Sequence, residues 1–193
     1  LRFAHPTKVT NTKNFLDVLK QPELLRLNFG ILFLHAIFTA NFIAIPFLLN
    51  NTAGLSEQQQ WQLYLPVLLL TIIVLFPLLR TLEKTAAQKK IFLLTISLLI
   101  IAEILLGFLQ HSIVGIGISL CLFFISFTLL EALLPAAVSK LAPQNKKGTA
   151  LGINSCFQFF GIFLGGSLGG WLFGYFQLQG IVFACALLSV ILI

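Results

Sequence analysis

Residues 148–176 read GTALGINSCFQFFGIFLGGSLGGWLFGYF, an uncharged run long enough as a helix to cross the ~30 Å hydrocarbon core of a bilayer. Asn154, Gln158, Gly161 and Gly165 follow i, i+4, i+7 and i+11, so they share one helical face. The pairs Gly161–Gly165, Gly165–Gly169 and Gly166–Gly170 each place small residues four apart, the spacing that lets helix backbones approach in lipid. Together with Gly148 and Gly152 they are the expected helix-packing glycines. Dense glycine serves static close packing, and equally a helix that bends or slides against its neighbours. Asn154 and Gln158 add donors and acceptors that suit a polar or amphipathic solute.

The rest of the chain has the same solvent. Hydrophobic residues make up 58% and charged residues 9% of the 193, with mean hydropathy +0.99. A soluble domain carries about 25% charged residues and cannot hide this much apolar surface. Further apolar runs occupy residues 27–49, 63–79, 91–109 and 113–134, and a short one runs from 181 to 193. Barrel strands would be ~10 residues long with alternating polarity, which these runs lack. The expected fold is an all-α membrane protein, a bundle of six transmembrane helices divisible into two three-helix units of inverted topology, over residues 27–193. Residues 1–26 form a polar cytoplasmic linker, in which 14–26 (NFLDVLKQPELLR) has the pattern of an amphipathic surface helix interrupted at Pro22. The chain contains no Met and its last apolar run is short of a full span, so it reads as a fragment of a longer protein.

Charge sets the expected orientation. All twelve Lys and Arg fall before the first run (Arg2, Lys8, Lys13, Lys20, Arg26), between the second and third (Arg80, Lys84, Lys89, Lys90) or between the fourth and fifth (Lys140, Lys146, Lys147). The alternate connections contain none, which predicts that the cationic ones, with both chain ends, are cytoplasmic. Trp61 and Tyr64 open the second run and Trp171 and Tyr175 close the fifth, both at the expected outer interface. Cations confined to one membrane face exclude a nucleic-acid groove as the reason for the +6 charge.

Few polar residues lie inside the runs. Asn28, His35 and Thr39 share a face of the first helix, and such a stripe faces a bundle interior or cavity. His35 is either a proton-coupling imidazole or a neutral ring bonded to a neighbouring helix. Glu103 is expected deep in the third span, as a neutral hydrogen-bonded carboxyl or part of a proton relay. Glu131, just before Pro135, is expected at the inner end of the fourth helix, bridged to Arg80 or Lys84 statically or as a gate. Cys121, Cys156 and Cys185 lack metal-ligand spacing and read as packing residues. No catalytic motif, nucleotide loop, metal set or cofactor site is present in the pattern, so the chain is expected not to be an enzyme.

Residues 135–172 (PAAVSKLAPQNKKGTALGINSCFQFFGIFLGGSLGGWL), with LLEALLP at 129–135 and AEILLG at 102–107, resemble the drug:proton antiporter branch of the major facilitator superfamily. RTLEKTAAQKK at 80–90 is similar to that superfamily's cytoplasmic loop motif, without its glycine and charge order. The resemblance implies helices 7 to 12 of a transporter of the bacterial inner membrane, completed by a six-helix N-terminal half. It implies a cavity lined by Asn28, His35, Thr39, Asn154 and Gln158, and a cytoplasmic charge cluster of Arg80, Glu83, Lys84 and Glu131. Its partners are then the bilayer, the N-terminal half, a small solute and protons, and its activity alternating-access, proton-coupled efflux. A membrane-embedded sensor or assembly subunit without transport is the alternative reading.

Overall fold

The computed structural model describes residues 18–82 and 88–192. Helix α1 spans Pro22–Ala53, α2 Trp61–Leu82, α3 Gln88–Leu109, α4 Ile113–Leu141 and α5 Lys147–Ile191, with a 3-10 turn at Gln144–Lys146 before α5. Among the described residues these are five helices long and apolar enough to cross a membrane.

Local chemistry explains the ends. Pro22 opens α1, where a missing N–H costs nothing, and Glu23 sits in its positive first turn. Pro22 starts α1 ahead of the expected boundary at Leu27, and residues 14–17 of the expected surface helix lie outside the described residues. Gly54 stops α1 in the left-handed conformation (φ 63°), its N–H donating to the Asn50 carbonyl at 3.0 Å while that of Leu55 donates to Leu49 at 3.3 Å. The Ser112 hydroxyl oxygen caps α4 by accepting from the Gly115 N–H at 3.4 Å. Pro46, Pro66, Pro77 and Pro135 lie inside helices, which membrane helices tolerate where neighbours re-satisfy the freed backbone.

The bundle is built around α1 and α4. Their apolar windows are 56% and 67% buried, against 17% for α2, where Leu65, Leu68, Leu69, Leu70, Ile72 and Ile73 are exposed while Val67 and Leu75 face the core. At one end Val18 and Leu24 pack with Val138, Ala142, Ala150 and Ile153, bringing the cation-bearing ends of α1, α4 and α5 together. At the other, Gln60 Nε2 donates to the Pro46 carbonyl at 2.9 Å and Phe47 lies against Phe173, ring centroids 5.0 Å apart.

Helix α5 is one hydrogen-bonded run broken at Gln177, whose φ of 55° and ψ of −155° are non-helical. Before the break, Gly161, Gly165 and Gly169 meet Leu32, Ala36 and Ala40 of α1 in ascending order. After it, Cys185 reaches Ile37 and Leu192 lies by Gly30, a descending order. The two arms of α5 thus run in opposite directions along α1.

Candidate functional site: a polar cluster between α1, α4 and α5

The stripe expected on α1 meets the stripe expected on α5. Their approach depends on the absence of side chains: a Cβ on Gly161 would press into the Leu32 carbonyl, and one on Gly165 into that of Ala36. A Cβ on Gly169 would lie 2.9 Å from the Ala40 Cα. Gly166 touches only the Thr39 methyl, at 3.7 Å, and nothing lies within 4 Å of the Cβ position of Gly148, Gly152 or Gly170. The packing role thus belongs to the first three. Gly148, Gly152 and Gly170 share the sequence spacing but have open space at the Cβ position.

The close seam brings amide to amide and amide to imidazole. Asn154 Nδ2 donates to Asn28 Oδ1 at 3.0 Å, with both residues buried. Gln158 Nε2 lies 2.9 Å from His35 Nε2, and His35 Nδ1 lies 3.1 Å from the Ile31 carbonyl. A carbonyl only accepts, so Nδ1 carries a proton; Nε2 of a neutral ring then accepts from the Gln158 amide. Glu131 Oε1 stands 3.6 Å from the same Nε2. Adding a proton at Nε2 turns it from acceptor to donor, so the Gln158 NH₂ loses its acceptor and the Glu131 carboxylate becomes the favoured partner. Thr39 spends its hydroxyl on the His35 carbonyl at 2.9 Å, so it bends back on α1 rather than offering a free group.

Burial distinguishes His35 from Glu131. His35 is 5% exposed at its side chain and Glu131 42%, so the imidazole is enclosed while the carboxylate opens onto a face this chain leaves uncovered. Helix α4 runs through Pro135 to Leu141, with Glu131 inside it. The Glu131 carboxylate approaches His35; the expected bridge to Arg80 or Lys84 falls on side chains outside the described residues. Glu83 lies outside them as well.

A group of rings adjoins the cluster. Phe127 of α4 meets His35 edge-on at 5.4 Å and stacks with Phe38 at 4.6 Å; Phe38 in turn lies 4.6 Å from Phe42, which reaches Phe124 and Tyr64. These rings ascend α1 from His35 toward the Trp61 end, so one side of the cluster is packed with aromatic surface. Sequence reasoning missed them, since Phe is the commonest aromatic here (20 residues) and none stands out. It also missed Asn41, which lies off the Asn28–His35–Thr39 face. Its Nδ2 donates to Glu103 Oε1 at 2.6 Å. Among the described residues no group of three His, Cys, Asp or Glu side chains is placed to hold a metal.

Long apolar helices with their polar side chains turned onto one another define a multi-pass membrane protein whose surroundings are the lipid bilayer. The chain belongs to the major facilitator superfamily of transporters: the family model described as MFS/sugar transport protein matches residues 2–186, and the chain is not an enzyme. It is 39% identical over 178 residues to the inner membrane transport protein YajR of Escherichia coli (strain K12), covering 92% of this chain and 39% of that protein. It is 30% identical over 172 residues to an uncharacterized transporter of Buchnera aphidicola subsp. Baizongia pistaciae (strain Bp), covering 88% of this chain and 43% of that protein. The chain thus spans about two-fifths of the length of these curated relatives.

Proposed function

We propose that the chain is the C-terminal half of a secondary active transporter of the bacterial inner membrane, moving a small amphipathic solute by alternating access in exchange for protons. In this reading α5 supplies two spans, giving six helices in two inverted three-helix repeats, and an N-terminal six-helix half covers the face onto which Glu131 opens. The opposite running directions of the two arms of α5 support that count. The alternation of cationic and cation-free connections supports a cytoplasmic N-terminal linker and C-terminus. Residues Arg80, Glu83 and Lys84 then belong to a cytoplasmic gate at the α2–α3 connection.

The observation that carries the coupling is the shared position at His35 Nε2, contested by an amide donor and a carboxylate. Protonation favours the Glu131 carboxylate over the Gln158 amide, whose NH₂ no longer has an acceptor on the ring; deprotonation restores the bond from Gln158 to His35. Because Gln158 belongs to the glycine seam, the proton changes how α5 is held to α1. Neighbouring aromatic rings and an accessible carboxylate suit a solute with an apolar body and a polar or cationic group. Efflux follows if protons descending inward drive the solute out. Reconstitution of the full-length transporter in liposomes, with a fluorescent amphipathic dye and an imposed pH gradient, tests the reading. Dye accumulation should follow the gradient; dye movement indifferent to it removes the coupling.

A further inference from the structure

A second polar pair lies apart from the cluster. Asn41 of α1 and Glu103 of α3 are each 1% exposed, among Ile37, Ala44, Ile45, Leu99, Ala102 and Leu106. One hydrogen bond joins them, from Asn41 Nδ2 to Glu103 Oε1 at 2.6 Å. Among the described residues, the remaining atoms of the same two groups, Asn41 Oδ1 and Glu103 Oε2, are buried without a partner. Every Lys and Arg of the chain lies in the segments outside the apolar runs, with Lys90 nearest in sequence to Glu103, roughly 20 Å away along α3. The neighbouring titratable group from the third element is the Cys185 thiol of α5, whose Sγ–H donates to the Ile37 carbonyl at 3.9 Å.

The two orphaned atoms decide the state of the acid. If Glu103 were ionised, Oε2 and Oδ1 would both be acceptors, with no donor for either and no counter-charge for the carboxylate. With a proton on Oε2, the hydroxyl supplies the donor that Asn41 Oδ1 lacks. A small rotation then closes a two-bond acid–amide ring, satisfying every polar atom of the pair. We infer that Glu103 is a permanently protonated carboxylic acid, a proton-binding site separate from the His35 cluster, which clamps α3 to α1 through Asn41. Helix α3 packs mainly on α4 and α5, with little direct backbone contact to α1. Among the described residues the clamp is a direct polar link between these helices, and it ties α3 to α1 without a charge in lipid.

Infrared difference spectroscopy on the full-length transporter in liposomes tests this, comparing wild type with Glu103→Gln. The expected spectrum contains the carbonyl stretch of a protonated, doubly hydrogen-bonded carboxylic acid. It is absent from Glu103→Gln, unchanged by bulk pH on either side of neutrality, and unchanged when a pH gradient is imposed. The Gln variant can form the same two bonds with Asn41, so its melting temperature should match that of wild type and its gradient-driven dye transport should stay within about two-fold. Asn41→Leu should lower the melting temperature and shift the acid band toward a singly bonded or free carboxyl. A carboxylate band at position 103, an acid band that bleaches during turnover, or loss of gradient coupling in Glu103→Gln would each overturn the inference. If Asn41→Leu does not fold, the spectrum of Glu103→Gln against wild type still decides it.

Discussion

Substituting Gly165 by Ala adds a single methyl group where the structure has no room for it. The new Cβ would lie 2.7 Å from the Ala36 Cα and closer still to the Ala36 carbonyl oxygen, against an ordinary contact of 3.4–4 Å. Both obstacles are backbone, so no rotamer change relieves them, and α5 must lift from α1 by most of an ångström. Overpacking of this kind costs about 1–3 kcal/mol, offset by about 1 kcal/mol from the better helix propensity of Ala. Gly170→Ala collects the propensity gain alone, since nothing lies within 4 Å of its Cβ position. The two variants should therefore differ by about 1–3 kcal/mol, at about 2–4 °C of melting temperature per kcal/mol for a chain of this size. Thermal melts in detergent, followed by size-exclusion recovery of the folded protein, measure the difference. Ala36→Gly in the Gly165→Ala background should not restore stability, because the clash is not with the Ala36 methyl. If both single variants melt together, or Ala36→Gly rescues, the close-seam account is wrong.

Two further outcomes follow from single contacts. Asn28→Leu leaves the Asn154 amide buried without its acceptor and should cost about 1–2 kcal/mol, while Asn28→Leu with Asn154→Leu recovers most of the loss. Simple additivity in thermal melts would show that the two amides are not coupled. Gln177→Gly should stabilise by about 1 kcal/mol or more, because the backbone at φ 55° and ψ −155° is comfortable only for glycine; an unchanged or lower melting temperature contradicts that.

The bundle was legible because lipid removes most of a sequence's choices: long uncharged runs must be helices. The two polar stripes were legible from helical spacing, and the structure pairs Asn28 with Asn154 and His35 with Gln158. What spacing within one helix cannot supply is depth and rotation relative to other helices. The apolar run ends at residue 134, which sets Glu131 near the inner end of its span; the helix itself runs on to Leu141, and the carboxylate reaches His35. Gly148, Gly152 and Gly170 keep the small-residue spacing yet have open space at the Cβ position, since the repeat marks several faces and tertiary packing chooses one. Asn41 was invisible for the converse reason: its partner Glu103 lies on another helix, and no periodicity within α1 announces it.

In the proposed cycle a proton at His35 Nε2 switches its favoured partner from Gln158 to Glu131 and couples this to transport. The direct measurement is dye transport by the full-length protein in liposomes, with and without a pH gradient, for wild type, His35→Gln and Glu131→Gln. Wild type should accumulate dye against its own gradient when a pH gradient is imposed. Both variants should still equilibrate dye down its gradient, with gradient-driven accumulation reduced at least about ten-fold, the loss of about 1.4 kcal/mol of coupling free energy. Wild-type accumulation that ignores the pH gradient, or variants that accumulate dye as wild type does, would contradict the account.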